Sequence, residues 1–136
     1  MATINQAASA APTSRALLWT GRIISAAMVA FMGLDGAMKL FAPEMIVPYA
    51  PQTGWPASVA LFRTLGAIVL GSTLLYAIRR TAVLGAILLT GFLGGAVATH
   101  VRIGDPLAHT LAGVVFGALI WLGLWLRDPR VRALLI

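Results

Sequence analysis

No cysteine occurs anywhere in the 136 residues. That excludes disulfides, thiolate metal sites, a thiol relay and a persulfide carrier on this chain. Acidic side chains are almost as scarce: Asp35, Glu44, Asp105 and Asp128 are all there are. Charged residues make up 10% of the sequence, against about 25% in soluble proteins. There is no nucleophile–base pair, no phosphate-binding loop and no zinc-binding helix motif in the sequence. Residues 1–14 have no basic n-region ahead of an apolar stretch. They read as a disordered tail rather than a cleaved signal peptide.

Apolar sequence fills the rest, at 60% of all residues. The run from Thr81 to Thr99 is uncharged, and the run from Pro106 to Leu126 carries only His109 as a titratable side chain. Each approximates the roughly 20 residues a helix needs to cross a bilayer. Ala16 to Phe41 and Pro56 to Ile78 supply two more such segments. The reading is an all-α fold: an integral membrane bundle of four transmembrane helices, one domain over residues 15–136. Short connections around Arg79-Arg80 and Arg102 to Asp105 make the last three spans antiparallel neighbours.

Capping signals set the ends. Thr13 or Ser14 is the expected N-cap of the first span, and Pro43 its stop. Pro56 suits the first turn of the second span. Asp105-Pro106 looks like an N-cap with proline at the first helical position of the fourth. Arg127-Asp128-Pro129-Arg130 reads as a stop. The long connection from Pro43 to Trp55, with three prolines and Gly54 in it, is expected to be ordered and extended. Helices in lipid associate through small residues, so Gly91/Gly95, Gly113/Gly117, Gly66/Gly71 and Gly33/Gly36 are the expected packing patches, within the bundle or in a homo-oligomer.

The net charge of +6 is no nucleic-acid signature, because the basic residues sit at span ends rather than in a surface stripe. Arg15, Arg22, Arg79, Arg80, Arg127, Arg130 and Arg132 fall on one side, and Lys39, Arg63 and Arg102 on the other. The positive-inside rule then puts both termini in the cytoplasm, with the lipid bilayer as the main partner. Trp19, Tyr76, Trp121 and Trp125 would form the inner aromatic belt, and Tyr49 and Trp55 the outer one.

Antiparallel packing brings Asp35, Lys39, Arg63, His100, Arg102, Asp105 and His109 to comparable depth near the outer face. Asp35 precedes Lys39 by one turn, the favourable order for a helical ion pair. Charges at membrane depth are costly and usually face the bundle interior, which makes Asp35, Lys39, Arg63, His100, Arg102 and His109 candidate ligand-binding residues. A structural ion pair of Asp35 with Lys39 or Arg63 is the competing reading, as is snorkelling of the two cations. Two histidines without further ligands at helical spacing do not make a metal site, so no metal is expected.

Three strings carry a family resemblance: Gly33–Leu40 (GLDGAMKL), Arg80–Gly91 (RTAVLGAILLTG) and Gly94–Arg102 (GGAVATHVR). Gly104–Leu107 (GDPL) and Leu126–Arg130 (LRDPR) extend it. With these the chain resembles the DoxX-like family of small bacterial membrane proteins, over nearly all of its length beyond the tail. The resemblance implies a four-helix bundle in the bacterial cytoplasmic membrane. It also implies a link to membrane redox chemistry, since the family takes its name from a subunit associated with a thiosulfate:quinone oxidoreductase. A quinone-interacting subunit is therefore the expected function, with quinone as the expected ligand. A structural or accessory subunit of a larger membrane complex, without catalysis of its own, is the alternative. A small transporter ranks third, because no inverted repeat or broken helix pair is visible.

Overall fold

The computed structural model describes residues 13–135. The expected tail lies outside them except for Thr13 and Ser14. Five helices follow: α1 Arg15–Phe41, α2 Val59–Ala77, α3 Ala82–Arg102, α4 Leu107–Arg127 and α5 Pro129–Leu135. The first four are each long and apolar enough to cross a membrane. They form an up-down bundle in which α1 packs on α2 and α4, and α3 on the same two helices. Outward faces carry Ile23, Leu34, Ile68, Leu74, Leu84, Ile87 and Val114. So continuous an apolar exterior has no place in water and is the lipid-facing surface.

Ser14 caps α1 by accepting from the Leu17 amide at 3.3 Å. Pro43 cannot donate to the helix and biases the residue before it away from helical geometry, so α1 stops at Phe41. Ser58 caps α2 through the Leu61 amide at 3.3 Å. Pro56 therefore lies outside the helix, contrary to its expected place in the first turn. A hydroxyl acceptor followed by three free amides outweighs proline's preference for the first turn.

The two Asp-Pro pairs exchange their expected roles. Asp105 does not cap α4, whose N-cap position is Pro106 with no side-chain cap. Its carboxylate is engaged by two histidines instead. The cap forms at Asp128, where the side chain accepts from the Arg130 amide at 3.0 Å with Pro129 opening α5. The sequence Arg127 to Arg130 is thus a corner between two helices rather than a stop. The connection from Pro43 to Trp55 also differs from expectation. It is two 3-10 turns, Pro43–Met45 and Val47–Thr53, ended by Gly54 in the left-handed region at φ 72°. Prolines at the first positions of both turns supply the fixed φ such turns need.

Tyr76 is a core residue, not part of an aromatic belt: it is completely buried. Its hydroxyl donates to the Ile120 carbonyl at 2.8 Å and lies 3.0 Å from Ser25 Oγ. With its one hydrogen committed to Ile120, the phenol oxygen accepts from Ser25. One side chain thereby joins α1, α2 and α4, among Met28, Met32, Val69, Ala86, Leu89 and Leu124.

Glycines decide how closely the helices approach, but only some of the expected ones do so. A methyl on Gly66 would sit 2.5 Å from the Leu40 nitrogen and 2.8 Å from the Gly36 carbonyl oxygen. One on Gly85 would sit 2.1 Å from the Tyr76 nitrogen. Gly21 and Gly123 make the corresponding contact between α1 and α4. By contrast Gly33, Gly71, Gly91 and Gly95 have nothing within 4 Å of such a methyl. The Gly91/Gly95 pair is not a packing seam in this chain.

Candidate ligand-binding cavity

At the end of the bundle away from the termini, the helices diverge around a cavity of about 510 Å3. Ligand pockets for small molecules typically measure about 300–1,000 Å3. Phe62 of α2, Phe92 of α3 and Phe116 of α4 form apolar walls. Gly91 and Gly95 face the same space, and their lack of side chains leaves it open. The two 3-10 turns fold across the mouth and contribute Ile46, Tyr49, Ala50 and Thr53, with Trp55 beyond them. Ala50 is 2% exposed, so this cover is packed down rather than loose.

Arg102 fastens the cover from outside. Its guanidinium donates to the Thr53 carbonyl at 3.3 Å and lies against Gly54. A side chain at Gly54 would collide with that guanidinium, and the positive φ there excludes most other residues independently.

Two polar groups face each other across this apolar space. On α1, Lys39 forms an ion pair with Asp35. The Lys39 ammonium also lies 6.0 Å from the centre of the Phe92 ring, near the outer limit of a cation–π contact. The partner of Asp35 is therefore Lys39 and not Arg63.

On the opposite side, His100 closes α3 and His109 opens α4. Their rings are 5.9 Å apart. Both Nδ1 atoms reach the same oxygen, Oδ2 of Asp105, at 2.6 Å and 2.8 Å. The hydrogen bond from His109, reinforced by that from His100 against partial desolvation, holds the Asp105 carboxyl below the usual carboxylate range. An ionised carboxylate only accepts, so each Nδ1 carries a proton. In the neutral rings this leaves both Nε2 atoms as acceptors. Neither Nε2 has a partner among the described residues, and both histidines line the cavity. The ligand atoms of His100, Asp105 and His109 lie within 4.8 Å of one another, a spacing a metal ion also tolerates. The two hydrogen bonds account for the cluster by themselves.

Of the residues expected from sequence, Asp35, Lys39, His100 and His109 line the cavity. Arg102 holds its cover. Arg63 does neither: it is exposed on α2 and makes no hydrogen bond or ion pair among the described residues. Helix neighbours point about 100° apart, so with Phe62 turned inward Arg63 projects away from the cavity. Tyr49, Trp55, Phe92 and the open Gly91/Gly95 wall were not expected at the site. The proline-rich connection beside the polar layer was the available signal for the first two.

A small four-helix membrane bundle with an apolar cavity flanked by polar groups at one end is what the comparisons with known proteins bear on. The DoxX-like family profile matches residues 23–123. The chain belongs to the DoxX-like family. The matched region runs from the first turns of α1 to the last of α4. It therefore takes in the whole cavity of this DoxX-like protein, including both histidines and the Asp35–Lys39 pair. No curated protein and no solved structure matches the chain.

Proposed function

We propose that this DoxX-like protein binds a quinone-type ligand in the outer cavity and serves membrane redox chemistry as a quinone-interacting subunit. The observation that carries the reading is the pairing of apolar walls with polar groups on two sides. A quinone headgroup offers carbonyl oxygens that accept, its quinol form offers hydroxyls that donate to an acceptor such as His100 Nε2, and the apolar ring and tail need a dry slot. Lys39 supplies a donor on one side. The phenylalanine walls and the open glycine face accommodate ring and tail. When bound, a quinone supplies two-electron, two-proton redox capacity, and the electrons come from a partner or a small reductant.

His100, Asp105 and His109 would handle protons. His100 Nε2 would accept a proton from a quinol hydroxyl on the cavity side while Asp105 stabilises the resulting imidazolium, and His109 Nε2, on a side chain 62% exposed, would exchange protons with solvent on its own. Asp35 holds the Lys39 side chain in place through their ion pair. With seven arginines at the end bearing the termini and three cations at the other, both termini lie in the cytoplasm of the bacterial inner membrane and the cavity opens toward the outer face.

The test is binding of a short-chain benzoquinone to protein in lipid nanodiscs, read by quenching of Trp55 fluorescence. Asp35→Asn is expected to weaken binding of the quinone, and His100→Ala binding of its quinol form, each about 10-fold or more, as for loss of a hydrogen bond involving a charged group. Unchanged binding in both contradicts the reading.

One observation favours a second reading, an accessory subunit of a larger membrane complex. Gly33 and Gly71 leave flat patches that nothing in the bundle fills, and a partner helix seats on such patches. A stable stoichiometric complex after mild detergent extraction, with no bound small molecule, would support it.

A further inference from the structure

At the opposite end of the bundle a second recess, of about 390 Å3, opens between α1, α4 and the α4–α5 corner. Arg22, Arg79, Arg127 and Arg132 all line it, over an apolar floor that includes Leu124. The only carboxylate in its wall is Asp128. That carboxylate is consumed by Arg130, which donates its amide at 3.0 Å, its Nε at 3.3 Å and a terminal nitrogen at 3.1 Å. No further acidic side chain exists to balance the rest. The other three, Asp35, Glu44 and Asp105, belong to the far end, and residues 1–12 contain none. Four guanidinium groups thus surround one recess, and none of them forms an ion pair among the described residues, although the Asp128 carboxylate also feels the charge of Arg79.

Arg127 adds an independent sign. One of its terminal nitrogens donates to the Tyr76 carbonyl at 2.8 Å, and its guanidinium lies 4.8 Å from the Tyr76 ring centre. Its Nε, however, is the one buried side-chain nitrogen or oxygen without a partner among the described residues. Buried donors are nearly always satisfied, and an orphan calls for an acceptor that the chain does not provide.

We infer that this recess is a binding site for a phosphate oxyanion, that of an anionic phospholipid headgroup at the arginine-rich membrane face. Guanidinium groups pair with phosphate oxygens in a fixed, bidentate fork. Basic pockets between membrane helices are suited to anionic headgroups. The recess lies at the ends of candidate membrane spans, with Arg79 just beyond α2 and Arg127 closing α4, the level at which basic side chains meet headgroups. The same oxyanion on free phosphate is the other source of this chemistry. The site is separate from the outer cavity, and the inference does not depend on what that cavity binds.

The experiment is native mass spectrometry of the full chain released from micelles doped with phosphatidylglycerol or phosphatidylcholine. A parallel titration uses inorganic phosphate. The protein is expected to retain phosphatidylglycerol about 10-fold or more over phosphatidylcholine. The double variant Arg79→Gln/Arg132→Gln is expected to lose that preference. The double variant Arg15→Gln/Arg80→Gln removes the same charge at the same end but outside the recess, and it is expected to keep it. Saturable binding of inorganic phosphate that depends on Arg79 and Arg132, without lipid preference, would assign the oxyanion site to a soluble source. Equal retention of the two lipids with no phosphate binding overturns the inference. Equal loss in the two double variants overturns it as well, because bulk charge would then explain the preference. Circular dichroism of both variants checks that the helices persist.

Discussion

His100 and His109, on different helices, donate to one and the same oxygen atom, Oδ2 of Asp105, at 2.6 Å and 2.8 Å. Their rings are thereby held 5.9 Å apart at the cavity wall. This shared acceptor ties the end of α3 to the start of α4 across a tight turn and sets which nitrogen of each ring is protonated. The aspartate that would ordinarily cap α4 has been diverted to the histidines.

The pH dependence of stability follows from that diversion. The Asp105 carboxyl is held below its ordinary range in the folded state, with the His109 hydrogen bond as the largest cause. A lowered folded value means its contribution is fully present above the unfolded carboxylate value, about 3.9. It is lost as pH falls through the lower folded value. The stability difference between the wild type and Asp105→Asn is therefore expected to shrink as pH falls below about pH 4. Thermal unfolding in detergent at several pH values reads it directly.

Helix approach predicts a contrast between two glycines on α2. Gly66→Ala would drive a methyl into the backbone of Leu40, Lys39 and Gly36. A loss of about 1–3 kcal/mol is expected, because both helix backbones must shift. Gly71→Ala meets nothing within 4 Å and is expected to be neutral or slightly stabilising through better helix propensity. Denaturation of both variants in the same detergent separates the two cases.

The buried phenol gives a third prediction. Tyr76→Phe leaves the Ile120 carbonyl and the Ser25 hydroxyl without their shared partner while keeping the ring packing. A cost of about 1–3 kcal/mol is expected for the groups left unsatisfied. Near-wild-type stability would show that these groups find other partners.

The fold was legible because its signals are long and redundant. Four apolar runs of spanning length, bounded by arginines and prolines, leave little freedom, and α1 to α4 lie within a few residues of their expected bounds. The local errors have physical causes. Asp105-Pro106 and Asp128-Pro129 are the same dipeptide, and only tertiary contact decides which aspartate caps a helix. Tyr76 has the composition of an interfacial residue, but Gly85 brings α3 close enough to bury it. Gly91 and Gly95 have the spacing of a packing motif, yet α4 packs on α3 through Leu93 and Val97 instead, and the glycine pair lines a cavity. Helix spacing shows which residues share a face and not what that face meets. The polar layer was legible as a layer because antiparallel spans fix depth. Arg63 was misplaced because depth alone says nothing about rotation around the helix axis.

The central claim is that the outer cavity holds a specific apolar ligand, and Gly95 provides its most direct test. A Cβ there meets nothing within 4 Å and the residue lines the cavity, so Gly95→Leu is expected to fold and to project into the cavity. The measurement is chromatography with mass spectrometry on organic extracts of gently purified wild type and Gly95→Leu, handled identically. The account predicts a stoichiometric quinone in the wild-type extract and its loss from the variant. Only bulk lipid in both extracts, or the same quinone content in both, would contradict it.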